Sequence, residues 1–537
     1  MPPGRKDATM AKGYLAIVLH AHLPFVRHPD YDTFLEERWF FEAMTETYIP
    51  IAKLLSAAVR DGVRGRIALS LSPSLLAMME DELLQERYAH HLDLLVELAE
   101  KEIDRNRHDG RFAYLARGYH SIFTEARDLF ASCNRRISTL FKDLHDRGIL
   151  ELFTTAATHG LLPMLRQQPK AVYAQVKTGT DYFESIFGFR SKGLWLPECG
   201  YYPGVDTVLK DQGIRYFFVE SHGIGNCSPA PVYGISAPIF TPSGVAAFGR
   251  DQGSSEEVWS SKKGYPGDHV YREFYRDIGH DLELEYIRPY IVGDIRVDTG
   301  IKYYRITGNA SHKQPYDFYA AKEKAAAHAA DFLFKRVRHV EHLAPGMEVA
   351  PIITAPFDAE LFGHWWFEGP QWIDFLMRKA SFDQNSLEMI SPGDYLDRHP
   401  VHQRAVPCTS TWGAKGFFET WLNGRVDWIY AHLEECAVRM ARLANQHGAG
   451  QKPADLTIRA LNQCLRELFL AQSSDWPFII SNKTSEQYAA RRVRDHVSRF
   501  HFLAHAIENG SLKEEDLGVL EYIDNIFPNA DYRLFLD

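Results

Sequence analysis

Cysteine is scarce in this 537-residue chain. The six cysteines (Cys133, Cys199, Cys227, Cys408, Cys436 and Cys464) are scattered, and no two form a Cys-x-x-Cys pair. That pattern argues against a disulfide framework or a cysteine zinc site, and it suits thiols kept reduced in a cytoplasm. No apolar run is long enough to span a bilayer. The opening residues lack the apolar core of a signal peptide; residues 1–12 read as a disordered tail, with the fold beginning at Gly13. Basic charge is not in excess either: 60 Lys and Arg stand against 70 Asp and Glu, a net charge of -10. Nucleic acid or an anionic membrane is therefore not expected as the main partner. There is no internal repeat and no low-complexity tract.

What is present is an ordinary globular composition, 45% apolar and 24% charged, on a chain long enough for a large enzyme domain plus a second domain. Ten Trp and 26 Tyr supply many flat apolar faces. Sugar rings stack on such faces, although aromatic side chains also simply fill cores.

Strand and helix patterns alternate along the first 400 residues, which predicts an α/β fold. The apolar run Tyr14–Leu19 ends in His20-Ala21-His22. A helix is expected over 36–55, then a strand ending in Leu71-Ser72-Pro73. Amphipathic patterns over about 85–147 predict a helical insertion. Further strands are expected at Leu150–Thr155, at Gly193–Leu196 leading to Pro197-Glu198, and at Ile214–Glu220. Residues 221–250, rich in Gly, Pro and Ser, read as a long loop able to reach over a site. Glu257–Ser260 reads as one more strand end. Val349–Phe357 leads to Asp358, and Met389–Pro392 leads into a helix. Several strand ends carrying polar residues favour a barrel over an open sheet. From about residue 400, helical patterns at 428–446, 456–473 and 485–509 predict a C-terminal helical domain.

The chemistry sits at two of these strand ends. Glu198 and Asp358 are carboxylates at the ends of buried strands among aromatics, the equipment of a glycosidase in which one attacks the anomeric carbon and the other moves protons. Glu360, close to Asp358, is expected to point elsewhere. His20 and His22 fit either a zinc site or two hydrogen-bonding histidines lining a pocket; no acidic third ligand is near in sequence.

In order along the chain, His20-Ala21-His22-Leu23-Pro24, Leu69-Ser70-Leu71-Ser72-Pro73, Gly193-Leu194-Trp195-Leu196-Pro197-Glu198, Asp358-Ala359-Glu360-Leu361-Phe362-Gly363-His364-Trp365-Trp366 and Ser474-Asp475-Trp476-Pro477 resemble glycoside hydrolase family 57, and within it the α-glucan branching enzymes. The third and fourth stretches are the specific ones. The resemblance runs from about residue 13 to the C-terminus. It implies an incomplete (β/α)7 barrel over 13–399 with a helical insertion, and a C-terminal α-helical domain over 400–537 completing the cleft. It implies a retaining double displacement with Glu198 as nucleophile and Asp358 as general acid/base, their carboxyls about 5–5.5 Å apart. Asp358 must start protonated, with Phe357, Trp365 and Trp366 raising its pKa by desolvation.

The resemblance further implies a lid tyrosine that keeps water from the intermediate; Tyr233 in Pro231-Val232-Tyr233-Gly234 matches it, and its loss would raise hydrolysis. Trp259, Trp412 and Trp421 match glucose-stacking positions, His20, His22 and His159 match hydroxyl contacts, and Asp475 reaches in from the helical domain. A cytoplasmic monomer acting on amylose or glycogen without a cofactor or a catalytic metal is expected. The rivals are an amylase or 4-α-glucanotransferase on the same scaffold, a catalytically dead carbohydrate-binding protein, and a metal-dependent polysaccharide deacetylase.

Overall fold

Alternation along β1 (Gly13–Ala21), buried at every position, splits its side chains between two cores. Leu15, Ile17, Leu19 and Ala21 join the larger core between sheet and helices. Tyr14, Ala16 and Val18 join a smaller one with Phe153, Trp195, Tyr216, Phe218, Phe248 and Ile352. A strand whose two faces meet two different cores is one stave of a barrel: one face lines the interior and the other carries the helical layer. A continuous apolar run is what such a doubly covered strand requires.

The computed structural model describes residues 11–260, 263–308, 310, 312–448 and 453–537. The expected tail thus lies outside the described residues, except that Lys12 is already tied into the fold through its backbone N–H to Ser386 and its ammonium to Glu341.

The remaining strands are β2 (Ile67–Leu71), β3 (Leu150–Thr155), β4 (Gly193–Trp195), β5 (Tyr216–Val219), β6 (Ile239–Phe240), β7 (Ala246–Gly249), β8 (Ile352–Asp358) and β9 (Leu387–Met389). They form one sheet in the order β6-β7-β5-β4-β3-β2-β1-β8, with β9 against the start of β1. From β7 through β8 the neighbours on this path run parallel, and β6 is antiparallel. Among the described residues no strand ladder closes β7 onto β8. Single backbone bonds bridge that gap, from Asp251 N–H to Thr354 O at 2.8 Å and from Ile352 N–H to Ser236 O at 2.9 Å. The architecture is an incomplete (β/α)7 barrel.

After β1 a short helix (Glu37–Ala43) passes through a π-helical turn (Met44–Tyr48) into α1 (Ile49–Arg60), where a single helix over 36–55 is expected. Between β2 and β3 lie α2 (Glu82–Arg105), α3 (Gly110–Ser132) and a helix over Ile137–Asp146, in the place of the expected insertion. The helix α4 (Phe318–Leu343) leads to β8, and α5 (Gly369–Phe382) leads from β8 to β9. The helical part beyond comprises α6 (Asp427–Gly448), α7 (Asp455–Ala471), α8 (Asp475–Asn482), α9 (Glu486–Glu508) and α10 (Glu514–Ile523). It is stitched to the barrel by backbone bridges at Gly160–Ser473, while Tyr201–Ser410 ties in the segment before it.

Two expectations are corrected. Residues 221–250 do not make a free loop: they hold a short helix (Ser221–Gly225), β6 and β7. The strand β7 is Ala-Ala-Phe-Gly, too short and too small in its side chains to stand out in Gly- and Ser-rich surroundings. Glu257–Ser260 is not a strand end either; Gln252–Trp259 is a helix capped by the Asp251 carboxylate.

Candidate active site

Strand parity decides which residues enter the barrel mouth. On β1 the interior set is Tyr14, Ala16 and Val18, so His20 and, just past the strand, His22 continue it upward. On β8 the interior set starts at Ile352, so Asp358 continues it. Register places His20 beside Ser70 of β2 on one side and beside Asp358 of β8 on the other. These groups meet at the C-terminal ends of the strands.

Glu198 sits just beyond β4 in a left-handed conformation, φ 60° and ψ 24°. Its neighbour Cys199 (φ 50°) and His159 (φ 58°) are left-handed too. Such backbones cost about 1–3 kcal/mol each in non-glycine residues and persist where the surroundings over-determine them. Here they do. Trp412 donates twice to Glu198, from its backbone N–H to the carbonyl at 3.1 Å and from its indole Nε1 to Oε2 at 2.8 Å. Ser474 donates from Oγ to Oε1 at 2.8 Å. Each carboxylate oxygen therefore has its own donor. Burial pushes the Glu198 pKa up to about 7, and these two donors pull against that rise.

Behind Glu198 the hydrogens can be assigned by elimination. Burial, reinforced by neighbouring His22, holds His20 and His159 well below the usual histidine range, so both are neutral. With Glu198 ionised, the Ser474 hydroxyl gives its proton to Glu198, so His159 must donate Nδ1–H to Ser474 at 2.8 Å. Its bare Nε2 then accepts from His20 Nε2 at 2.9 Å, and His20 Nδ1 accepts from Ser70 Oγ at 3.1 Å. A neutral imidazole offers one donor and one acceptor, and this chain uses both at each ring. His22 is different. Burial opposes its charge, but the charge and hydrogen bond of Asp475, with Glu198 and Glu360 behind it, outweigh burial and raise its pKa. It bonds Asp475 Oδ2 at 2.9 Å and Ser72 Oγ at 2.9 Å.

Asp358 ends β8 open to the cleft. Desolvation by the cleft walls pushes its pKa up to about 6, opposed by Arg250 and His22 and helped by Asp475. The apolar residues credited from sequence contribute differently: Phe357 lies on the opposite, helix-facing side of β8, Trp366 is core, and Trp365 is 56% exposed. Glu360, expected to point elsewhere, is at the site. It accepts His22 N–H at 3.1 Å and the Tyr48 hydroxyl, and burial, followed by the charge on Asp358, pushes its pKa up to about 7.

His22, His159 and Asp475 each have a ligand atom within 4.8 Å of the others. The rings of His22 and His159, however, are stacked 3.9 Å apart at 18°. Lone pairs in near-parallel planes do not converge on one ion, and both nitrogens of His22 already hold partners. The arrangement is a hydrogen-bond network. A second cluster, Glu467, His496 and Asp524 in the helical part, is already partnered: Arg499 lies 2.6 Å from Asp524 and His496 lies 2.7 Å from Glu467.

Of the residues singled out from sequence, His20, His22, His159, Glu198, Trp412 and Asp475 form one connected network, with Asp358 facing it. Trp412 serves as a donor to Glu198, and Arg250 stands 5.3 Å over its ring, so it is not placed as a free stacking face. Trp421 is 1% exposed and packs under Gly413; a ring so covered cannot stack on sugar. Trp259 is 56% exposed and makes no aromatic contact among the described residues.

Tyr233 is not at the site. Its hydroxyl accepts the Glu348 N–H at 3.2 Å, four residues before β8 begins, while Asp358 lies about 20 Å along the strand at its other end. Tyr233→Ala is therefore expected to leave the ratio of hydrolysis to transfer unchanged; a rise in reducing ends relative to transferred chains would show that this loop swings to the cleft.

Sequence reasoning missed Ser474, Arg250 and Tyr48. The serines behind the histidines were legible: His-x-His on one strand end beside Ser-x-Ser on the next is a matched pair of inward faces. Replacing Ser474 by Ala removes one charge-assisted donor, about 1.5–3 kcal/mol, so the Glu198 pKa should rise by about 1–2 units. The rate–pH profile moves up accordingly, and Ser474→Thr restores it. A purely structural role would lower the rate with the profile unmoved.

Residues 16–407 match the model of glycosyl hydrolase family 57, and residues 432–535 match a model described as 1,4-alpha-glucan branching enzyme, C-terminal. A 1,4-alpha-glucan branching enzyme of Thermococcus kodakarensis is 31% identical over 96% of this chain and 76% of that protein. Among solved structures, an alpha-amylase, AmyC, from Thermotoga maritima superposes with TM-score 0.91 at 43% identity, covering 98% of this chain and 99% of that one. A branching enzyme of the same family from Pyrococcus horikoshii superposes with TM-score 0.88 at 31% identity, covering 98% and 97%.

Proposed function

The chain belongs to glycosyl hydrolase family 57, and from that membership we propose that it is a 1,4-α-glucan branching enzyme working by retaining double displacement. Glu198 attacks the anomeric carbon of an α-1,4-linked glucose while Asp358 gives its proton to the departing oxygen, leaving the donor chain as an ester on Glu198. A 6-hydroxyl of an acceptor chain then loses its proton to Asp358 and displaces Glu198, forming an α-1,6 branch. The two donors on Glu198 favour its ionised form and take up the changing charge as the ester forms and breaks. Asp475, held by His22, and Glu360 edge the cleft as hydrogen-bond partners for sugar hydroxyls. The substrates are amylose and glycogen, and no cofactor takes part.

The observation that carries branching over plain hydrolysis is the C-terminal part. Residues 432–535 match the branching-enzyme C-terminal model, and the same part supplies Ser474 and Asp475 to the site. A second reading, α-amylase, is favoured by the 43% identity to the Thermotoga protein of that title and by a Tyr233 that does not cover the cleft. Amylose treated with the protein and then with an α-1,6-specific debranching enzyme separates the two. Branching yields new reducing ends only after debranching; hydrolysis yields them before.

All six cysteines are free, which supports a reducing cytoplasm as the compartment, and no described helix is long and apolar enough to cross a membrane. We place the protein there as a monomer.

A further inference from the structure

Among the described residues two tryptophans, Trp259 and Trp365, are more than half exposed, and only Trp365 has another ring against it. The turn that follows β8 explains its position. Phe362 and Trp366 point into the core. Gly363 N–H closes the turn on Trp366 O at 2.8 Å, and Trp366 N–H bonds Leu361 O at 2.9 Å. Trp365, between them, is left facing outward. Its indole stacks on Phe274, 4.6 Å between ring centres at 20°, and the His364 ring meets it edge-on at 5.5 Å and 82°. These supports are fixed in turn. Lys302 Nζ stands 4.5 Å from the Phe274 centre, and His364 Nδ1 is held by Glu46 at 2.7 Å.

Phe274 and His364 cover one face and one edge, so the exposure of Trp365 falls on its other face. Polar tips surround that face. Among the described residues the Trp365 indole N–H and His364 Nε2 have no protein partner. Tyr275, 82% exposed, stands against Phe274 at 5.1 Å and 90° and offers its hydroxyl beside them. A flat apolar face edged by hydrogen-bonding groups matches a glucose ring, with C–H groups on its faces and hydroxyls around its rim. A purely apolar partner would leave those polar groups buried and unsatisfied. Trp365 also continues the cleft. It lies seven residues beyond Asp358, and its N–H bonds the carbonyl of Glu360 at 3.2 Å, whose side chain is in the site.

We propose that Trp365, backed by Phe274, is a glucose-stacking platform for the acceptor glucan chain. On the retaining reading above, on which this assignment rests, Asp358 gives its proton to the oxygen of the departing chain. That chain, and then the acceptor that replaces it, lie on the Asp358 side of the cleft, where Trp365 stands. The platform grips the acceptor at a glucose unit away from the reacting hydroxyl. A ring already held in place loses little side-chain entropy when the sugar stacks on it. The platform also selects by length: a chain too short to reach from Asp358 to Trp365 gains nothing from it.

The test follows fluoride release from α-maltosyl fluoride by the full-length protein, with and without maltoheptaose as acceptor. Release without acceptor reports the donor half of the reaction, and its acceleration by maltoheptaose reports the acceptor site. Trp365→Leu still covers Phe274 but has no flat face. It should raise the maltoheptaose concentration for half-maximal acceleration by about tenfold, while the acceptor-free rate changes far less. Trp365→Phe should recover most of that loss. Unchanged acceptor dependence in Trp365→Leu would overturn the platform. Equal losses with and without acceptor would overturn its assignment to the acceptor. A wild type that self-associates where Trp365→Leu does not, with acceptor dependence unchanged, would give this face to a second copy of the chain instead. If the wild type releases no fluoride, the retaining reading is what fails. Calorimetry with maltoheptaose then decides the platform by itself: about tenfold weaker binding to Trp365→Leu supports it, and equal binding overturns it.

Discussion

Glu198→Gln loses glucan transfer and hydrolysis together, with kcat falling by on the order of a millionfold, as removal of a nucleophile does in other covalent mechanisms. The amide keeps the side chain's size, so Trp412 and Ser474 still pack on it and the fold is retained. The check is the transfer rate alongside an unchanged unfolding midpoint. Rates within tenfold of wild type would remove Glu198 as the attacking group. The network explains why the loss is complete: Glu360 and Asp475, the other carboxylates at the cleft, are committed to Tyr48 and His22 and cannot be redirected without breaking those bonds.

Asp358→Asn lowers transfer by about 10²–10⁴, the range general acid–base catalysis contributes, and it changes the pH profile in a defined sense. The Asp358 charge is among those that raise Glu198, so the values of about 7 and about 6 are treated as belonging to the pair. Below about 6 both carboxyls hold protons and the nucleophile is lost. Above about 7 both are ionised and the acid is lost. Between them the pair shares a single proton, and the productive form is the one with Glu198 ionised and the proton on Asp358. Wild-type kcat/KM should therefore be bell-shaped, with its maximum between about pH 6 and 7. Asp358→Asn should lose the alkaline limb and keep the acid one. Retention of the alkaline limb would assign it to another group, Glu360 first.

The parts of this site that sequence made legible are those fixed by strand parity and strand ends. The run Tyr14–Leu19 announces a strand buried on both faces, so the polar residues after it must sit at a rim; the same holds for Glu198 after Leu194-Trp195-Leu196 and for Asp358 after its apolar run. What could not be read depends on long-range docking. Ser474 is 276 positions from Glu198, and nothing local to Ser473-Ser474-Asp475 says which barrel rim it will meet. Trp421 and Trp412 are equally aromatic in sequence; only the Gly413 backbone packed against the first, and the Glu198 carboxylate against the second, separate a core residue from a site residue. Tyr233 failed for a related reason. A Gly- and Pro-rich segment signals a change of direction but not which end of the barrel the chain turns toward. Glu360 was set aside on local geometry, yet the short 3-10 turn at Ala359–Leu361 brings it back beside Asp358.

The central claim, a covalent intermediate on Glu198, is tested most directly by trapping it. An α-maltosyl fluoride donor carries a leaving group that needs little protonation, so the Asp358→Asn protein should still be glycosylated but should turn over slowly for want of a base. Mass spectrometry of the digested protein should then find maltosyl on the peptide containing Glu198. Maltosyl on Glu360 or Asp475, or rapid fluoride release with no adduct on any peptide, would contradict it.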